Sequence, residues 1–128
     1  MDFNKINFSN KPENIFSDIA EEAARDIKNN HQSNKNTQLR KFYDELVLWN
    51  DRIQFTKEDK RLLFKELLPF IKMMKAKVAY AEGRKRVDSN FRNLFNHCID
   101  QIKSPETLRD AKLFMEAVIG YCRYIDND

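Results

Sequence analysis

Chain-breaking residues are scarce in this sequence. Two glycines and three prolines among 128 residues supply too few turn-formers for a many-stranded β fold. With Gly83 and Gly120 alone, no Gly-rich phosphate loop can be built. The two cysteines, Cys98 and Cys122, each sit within an apolar helical pattern and read as reduced core thiols, although two cysteines alone leave a bridge open. No run approaches the roughly 18 apolar residues of a membrane span, and Met1-Asp-Phe-Asn-Lys-Ile-Asn-Phe8 lacks the apolar core of a signal peptide. A cytoplasmic protein without a membrane partner is expected.

Catalytic chemistry is equally thin. His31 lies in a polar stretch, and His97 neighbours Cys98, but adjacent helical residues point about 100° apart and cannot chelate one ion together. No HExxH, CxxC or nucleophile elbow occurs. The inventory offers no catalytic residue, no metal site and no cofactor, so the expectation is that the chain is not an enzyme.

What is present is charge and helical periodicity. Charged residues make up 34% and hydrophobic ones 41%, which suits one domain able to bury something like two-thirds of its unfolded surface. The fold class expected is all-α, a compact bundle of five to six helices over residues 12–125. Residues 1–11 read as a flexible or partner-ordered arm, and 126–128 as a polar tail. Ile15, Ile19, Ala23 and Ile27 recur every four residues and predict a helix from Pro12 to Lys28, whose Glu13, Asp18, Glu21, Glu22 and Asp26 would repel a polyanion and favour protein contact. Residues 29–36 contain no apolar side chain and read as a loop.

Thr37 is placed to cap the next helix, with Leu39, Phe42, Tyr43, Leu46, Val47 and Asn50 along one face. Arg40 and Lys41 fall in its first turn, where cations oppose the helix dipole, so a role in anion contact fits them better than helix stability. Thr56-Lys-Glu-Asp59 signals another start, with Thr56 as the cap and two early acids, and Leu62, Leu63, Leu67 and Leu68 form that helix's buried side until Pro69, where a kink or a fresh start is expected. Phe91 to Ile102 and Leu108 to Cys122 carry two more apolar faces, the second announced by Ser104-Pro-Glu106. Phe64, Phe114, Tyr121 and Tyr124 lie off these stripes, and such surplus apolar surface favours oligomerisation or docking.

The most informative stretch runs from Leu67 to Arg86. Its six cations, Lys72, Lys75, Lys77, Arg84, Lys85 and Arg86, oppose only Glu82, a local net charge of +5 in a chain of +3, so the rest is mildly acidic. A localised basic surface points to a polyanionic partner. On a helical projection Phe70, Ile71, Met74, Val78 and Ala81 face the core. Lys72, Lys75 and Arg86 flank one edge; Lys77 and Arg84 flank the other if the helix passes Gly83. Lys-rich helix faces are more often plain solvated surface, and of the aromatic and methionine residues here only Tyr80 looks free for base stacking.

Two motifs, Gln38-Leu-Arg-Lys-Phe-Tyr-Asp-Glu-Leu46 and Leu68-Pro-Phe-Ile-Lys-Met-Met-Lys-Ala-Lys-Val-Ala-Tyr-Ala-Glu-Gly-Arg84, resemble the small helical subunit of type III-A CRISPR effector complexes, the Csm family. With the helices read on either side, the resemblance covers nearly the whole chain. It implies a non-catalytic subunit in antiviral defense, stacked in several copies within a ribonucleoprotein. Its implied partners are guide RNA, target RNA, other copies of itself, ferredoxin-like backbone subunits and a polymerase-like large subunit. Mapped residue by residue, it implies phosphate contacts at Arg40 and Lys41 in the first motif and at Lys72, Lys75, Lys77 and Arg84 in the second. Lys85 and Arg86 join them on charge alone. Backbone contacts give affinity without sequence readout, as befits a complex in which the guide strand reads sequence. The rival readings are a structural spacer whose cations meet acidic protein surfaces, and an unrelated helical enzyme, which no motif supports.

Overall fold

A computed structural model describes residues 1–127. Among them are six α-helices: α1 (Ala20–Lys28), α2 (Asn36–Gln54), α3 (Lys60–Lys72), α4 (Met74–Gly83), α5 (Ser89–Asp100) and α6 (Pro105–Asp126). A 3₁₀ turn at Phe3–Lys5 and a π-helical turn at Ile15–Ile19 precede them, and no strand occurs among the described residues. The all-α expectation therefore holds. The long α6 is the spine, with α1 and α2 packed along it, while α4 lies against α5.

Local chemistry sets most of the helix starts. Ser104 and Thr107 form a reciprocal capping box with Pro105 in the first turn of α6, where the sequence placed it. Asp88 caps α5 by accepting from the Phe91 amide. Two starts differ from expectation. Asp59 rather than Thr56 caps α3, because its carboxylate accepts from both the Arg61 and Leu62 amides at 3.0 and 3.1 Å, whereas Thr56 Oγ1 accepts only from Glu58 N. Helix α2 begins at Asn36, with Lys35 as a cap whose side chain makes no capping hydrogen bond, so Thr37 already lies inside the first turn.

The core draws one face from each helix, with Phe42, Phe91 and Phe95 clustered at ring-centroid distances of 5.6–5.8 Å. Cys98 and Cys122 are free and buried within it. Around α3 the buried residues are Phe64, Leu67 and Ile71, while Leu62 is exposed; Leu62 lies about 200° around the helix from Phe64 and cannot share its face. Pro69 sits inside α3, and the interruption comes at Met73, which ends α3 and begins α4. Ile71, Met74, Val78 and Ala81 are buried as the projection predicts, but Phe70 is half exposed and stacks on Trp49 instead. Phe64 and Phe114 belong to the core, so the surplus apolar surface is carried by Leu48, Phe55, Leu62 and Tyr124.

The N-terminal segment is docked, contrary to the flexible arm expected from its irregular pattern. Ile6 and Phe8 are each only 1% exposed. The Gln101 side-chain amide, at the C-cap of α5, holds this backbone in both directions, donating to Ile6 O at 2.6 Å and accepting from Phe8 N at 2.9 Å. Phe3 stacks on His97, Phe8 packs edge-on against Phe114, and Lys11 reaches the buried Asp110 carboxylate at 3.0 Å. Two buried apolar side chains stabilise the docked form by roughly 2–3 kcal/mol each, more than a short-range period could reveal.

Candidate nucleic-acid interface

The last turn of α4 fixes the shape of the basic surface. Gly83 ends the helix, and Lys85 takes the left-handed conformation with φ 61°. Arg86 N then donates to Ala81 O and Lys85 N to Glu82 O, both at 2.9 Å. This is a Schellman closure in which a lysine fills the position usually given to glycine. The reversal throws Arg86 out of the 100° phase that continued helix would have imposed.

Arg86 accordingly joins the opposite edge from the one projected. A groove of about 340 Å³ between α2 and α4 is lined by Gln38, Lys41 and Phe42 from α2, by Lys77, Tyr80 and Ala81 from α4, and by Arg84 and Arg86 from the turn. Four of the eight sequence-derived candidates thus converge: Lys41, Lys77, Arg84 and Arg86. Lys41 and Arg86 have no ion-pair partner among the described residues, whereas Lys77 Nζ lies 3.0 Å from both oxygens of Glu45. Arg84 lies over the Tyr80 ring, 5.6 Å from its centroid, and donates to the Tyr80 hydroxyl at 2.9 Å.

The other four candidates fall elsewhere. Arg40 pairs with Asp44 one turn along α2 at 3.7 Å. Lys75 pairs with Asp100 of α5 at 2.7 Å, on the side of α4 away from α2. Lys72 closes α3 without an ion pair among the described residues. Lys85 is exposed on the tight turn.

An interlock of polar groups fixes the groove's end wall. Asn34, fully enclosed in the α1–α2 loop and also left-handed, donates its backbone N–H to Arg86 O and its side-chain amide to Ile27 O, and its Oδ1 accepts from Asp88 N. Lys28 Nζ, itself buried, donates to Asn34 O at 2.8 Å and pairs with Asp126. Asn30 reaches the Asp88 carboxylate at 3.1 Å. Burial alone would raise the Asp88 pKa, but the hydrogen bonds from Asn34, the Phe91 amide and Asn30 outweigh it and hold the carboxyl below its ordinary range.

A second hollow, about 710 Å³, shares Lys41 and Lys77 with the groove and continues over Glu45, Leu48, Trp49 and Arg52. Arg52 lies 5.9 Å from the Trp49 ring centroid, and Trp49 Nε1 donates to Glu45. Sequence reasoning passed over this surface because it sought one buried stripe in α2. The spacing Lys41, Glu45, Leu48, Trp49, Arg52 marks a second, exposed stripe on the same helix.

These features define a class: a helical bundle that turns a basic, aromatic-bearing groove outward. Among its described residues no three His, Cys, Asp or Glu side chains are placed to hold a metal ion, and no helix is long and apolar enough to cross a membrane. A family model described as Csm2 Type III-A matches residues 10–128. The chain belongs to that family, the small subunit of the type III-A Csm complex, and so assembles with that complex's other subunits. No curated protein and no solved structure gives a match.

Proposed function

We propose that this chain is a non-catalytic, RNA-binding small subunit that grips the guide RNA/target RNA backbone through the α2–α4 groove, several copies stacking along a cytoplasmic ribonucleoprotein beside ferredoxin-like backbone subunits and the polymerase-like large subunit. One observation carries the reading: Lys41, Lys77, Arg84 and Arg86 come from two helices and a turn to line one hollow, and of the four only Lys77 has an ion-pair partner among the described residues, Glu45. Phosphates neutralised by such cations release counterions, so binding weakens with salt by about one unit of log–log slope per contact. The test is titration of the assembled complex with RNA at several salt concentrations. Replacing Lys77 and Arg84 by Ala is expected to flatten the slope by about two units, and an unchanged slope would overturn the assignment.

A structural spacer is the second reading. In its favour, Arg40, Lys75 and Lys77 already face acids of their own chain, and Phe16, Ala117, Tyr121 and Tyr124 line an apolar hollow bordered by Glu21. Loss of the groove variant from complexes assembled without RNA would favour the spacer. Retention of the subunit with weakened RNA binding would favour the groove.

A further inference from the structure

The α2–α4 groove carries more than charge, because an aromatic ring stands in it. Tyr80 is 67% exposed although its neighbours on α4, Val78 and Ala81, are buried. Its position is held from within the same helix: Arg84, one turn on, both bonds the hydroxyl and covers one side of the ring. A ring so fixed, with two-thirds of its surface still in water, has a side onto which another planar group can settle at small entropic cost. Around it stand Lys41, Lys77 and Arg86, which suit phosphates, and the Gln38 amide, which can both donate and accept at a base edge.

We propose that this groove accommodates one unpaired nucleotide, its base stacked on Tyr80 and its flanking phosphates held by Lys41 and Arg86. The site would distinguish single-stranded RNA from a closed duplex. A base within an A-form helix has both faces covered by its neighbours, so only a base outside the stack can use the tyrosine ring. The inference rests on the RNA-binding reading above and adds to it a ligand class and a preference for strand state. Arg84 then positions the ring in addition to lending its charge to the groove.

The experiment uses the full chain with two probes of equal length: a single-stranded oligoadenylate carrying one central 2-aminopurine, and the same strand fully paired to its complement. Anisotropy reports affinity, and 2-aminopurine fluorescence reports a change in stacking. The unaltered protein is expected to bind the single strand more tightly and to change its fluorescence. Tyr80→Ala should weaken single-strand binding about tenfold, near the low end for loss of one base–aromatic stack, while leaving duplex binding unchanged. Tyr80→Phe should retain the affinity, since it keeps the ring.

If Tyr80→Ala binds the single strand as well as the unaltered protein does, while Lys41→Ala with Arg86→Ala weakens both probes, stacking is wrong and backbone binding stands. If neither variant changes binding, or neither probe binds, both readings fall. If Tyr80→Phe loses as much as Tyr80→Ala, the hydroxyl's bond to Arg84 is what matters, and the stacking assignment is overturned.

Discussion

At the scale of single residues, Lys85 and Asp88 hold the turn that shapes the groove. A left-handed lysine costs roughly 1–2 kcal/mol, partly offset because glycine would lose more backbone freedom on folding. Lys85→Gly is therefore expected to raise stability by about 0.5–1 kcal/mol, seen as a higher urea midpoint at unchanged slope; a lower midpoint would show that the turn is not closed this way. Asp88 gives the chain an acid-sensitive contribution. Its native pKa lies below the unfolded value, so its stabilisation is fully present above about pH 4 and is lost as pH falls through the lower native value. Urea midpoints measured between pH 6 and pH 2.5 should fall less steeply for Asp88→Asn than for the unaltered chain. Neither residue announces itself, since a lysine after Gly83 reads as surface charge and Asp88 is an ordinary cap.

At the scale of elements, the helices were legible wherever their register was local. Ser104-Pro105 placed the start of α6, and the four-residue spacing of Ile15, Ile19, Ala23 and Ile27 identified a buried face even though its first turn is π-helical. Illegible were the features decided by distant partners. Phe70 leaves the core because Trp49, on another helix, offers it a stacking surface. The segment before Pro12 looks irregular because, beyond a short 3₁₀ turn and local side-chain bonds, it is tied down by His97 of α5 and by Gln101 at that helix's C-cap. Phe8→Ala is accordingly expected to destabilise the whole chain by about 3–5 kcal/mol, read as a lower thermal midpoint. An undocked arm would leave the midpoint where it was.

At the scale of the molecule, the basic residues divide into those the chain neutralises for itself and those it leaves for others. Lys75 is satisfied by Asp100, whereas Lys41 and Arg86 form no ion pair among the described residues. In the assembled complex, Lys75→Ala should leave the salt dependence of RNA binding nearly unchanged, and Lys41→Ala with Arg86→Ala should reduce its slope by about two units; equal effects would mean that the groove is not the contact. The motif pair around residues 38–46 and 68–84 spans the two helices that border the groove, but which of their cations gather depends on where α4 stops, a detail set by one reversed turn. The Asn-rich loop between α1 and α2 carries a practical corollary. On composition it is the obvious place to splice in an affinity tag or a reporter peptide, being polar, glycine-free and remote from any catalytic motif. Yet Asn34 buttons it to Arg86 and Asp88. A graft on its inner side would shift the end wall of the groove, so tags belong instead on the connection from Phe55 to Glu58, where Phe55, Lys57 and Glu58 are exposed.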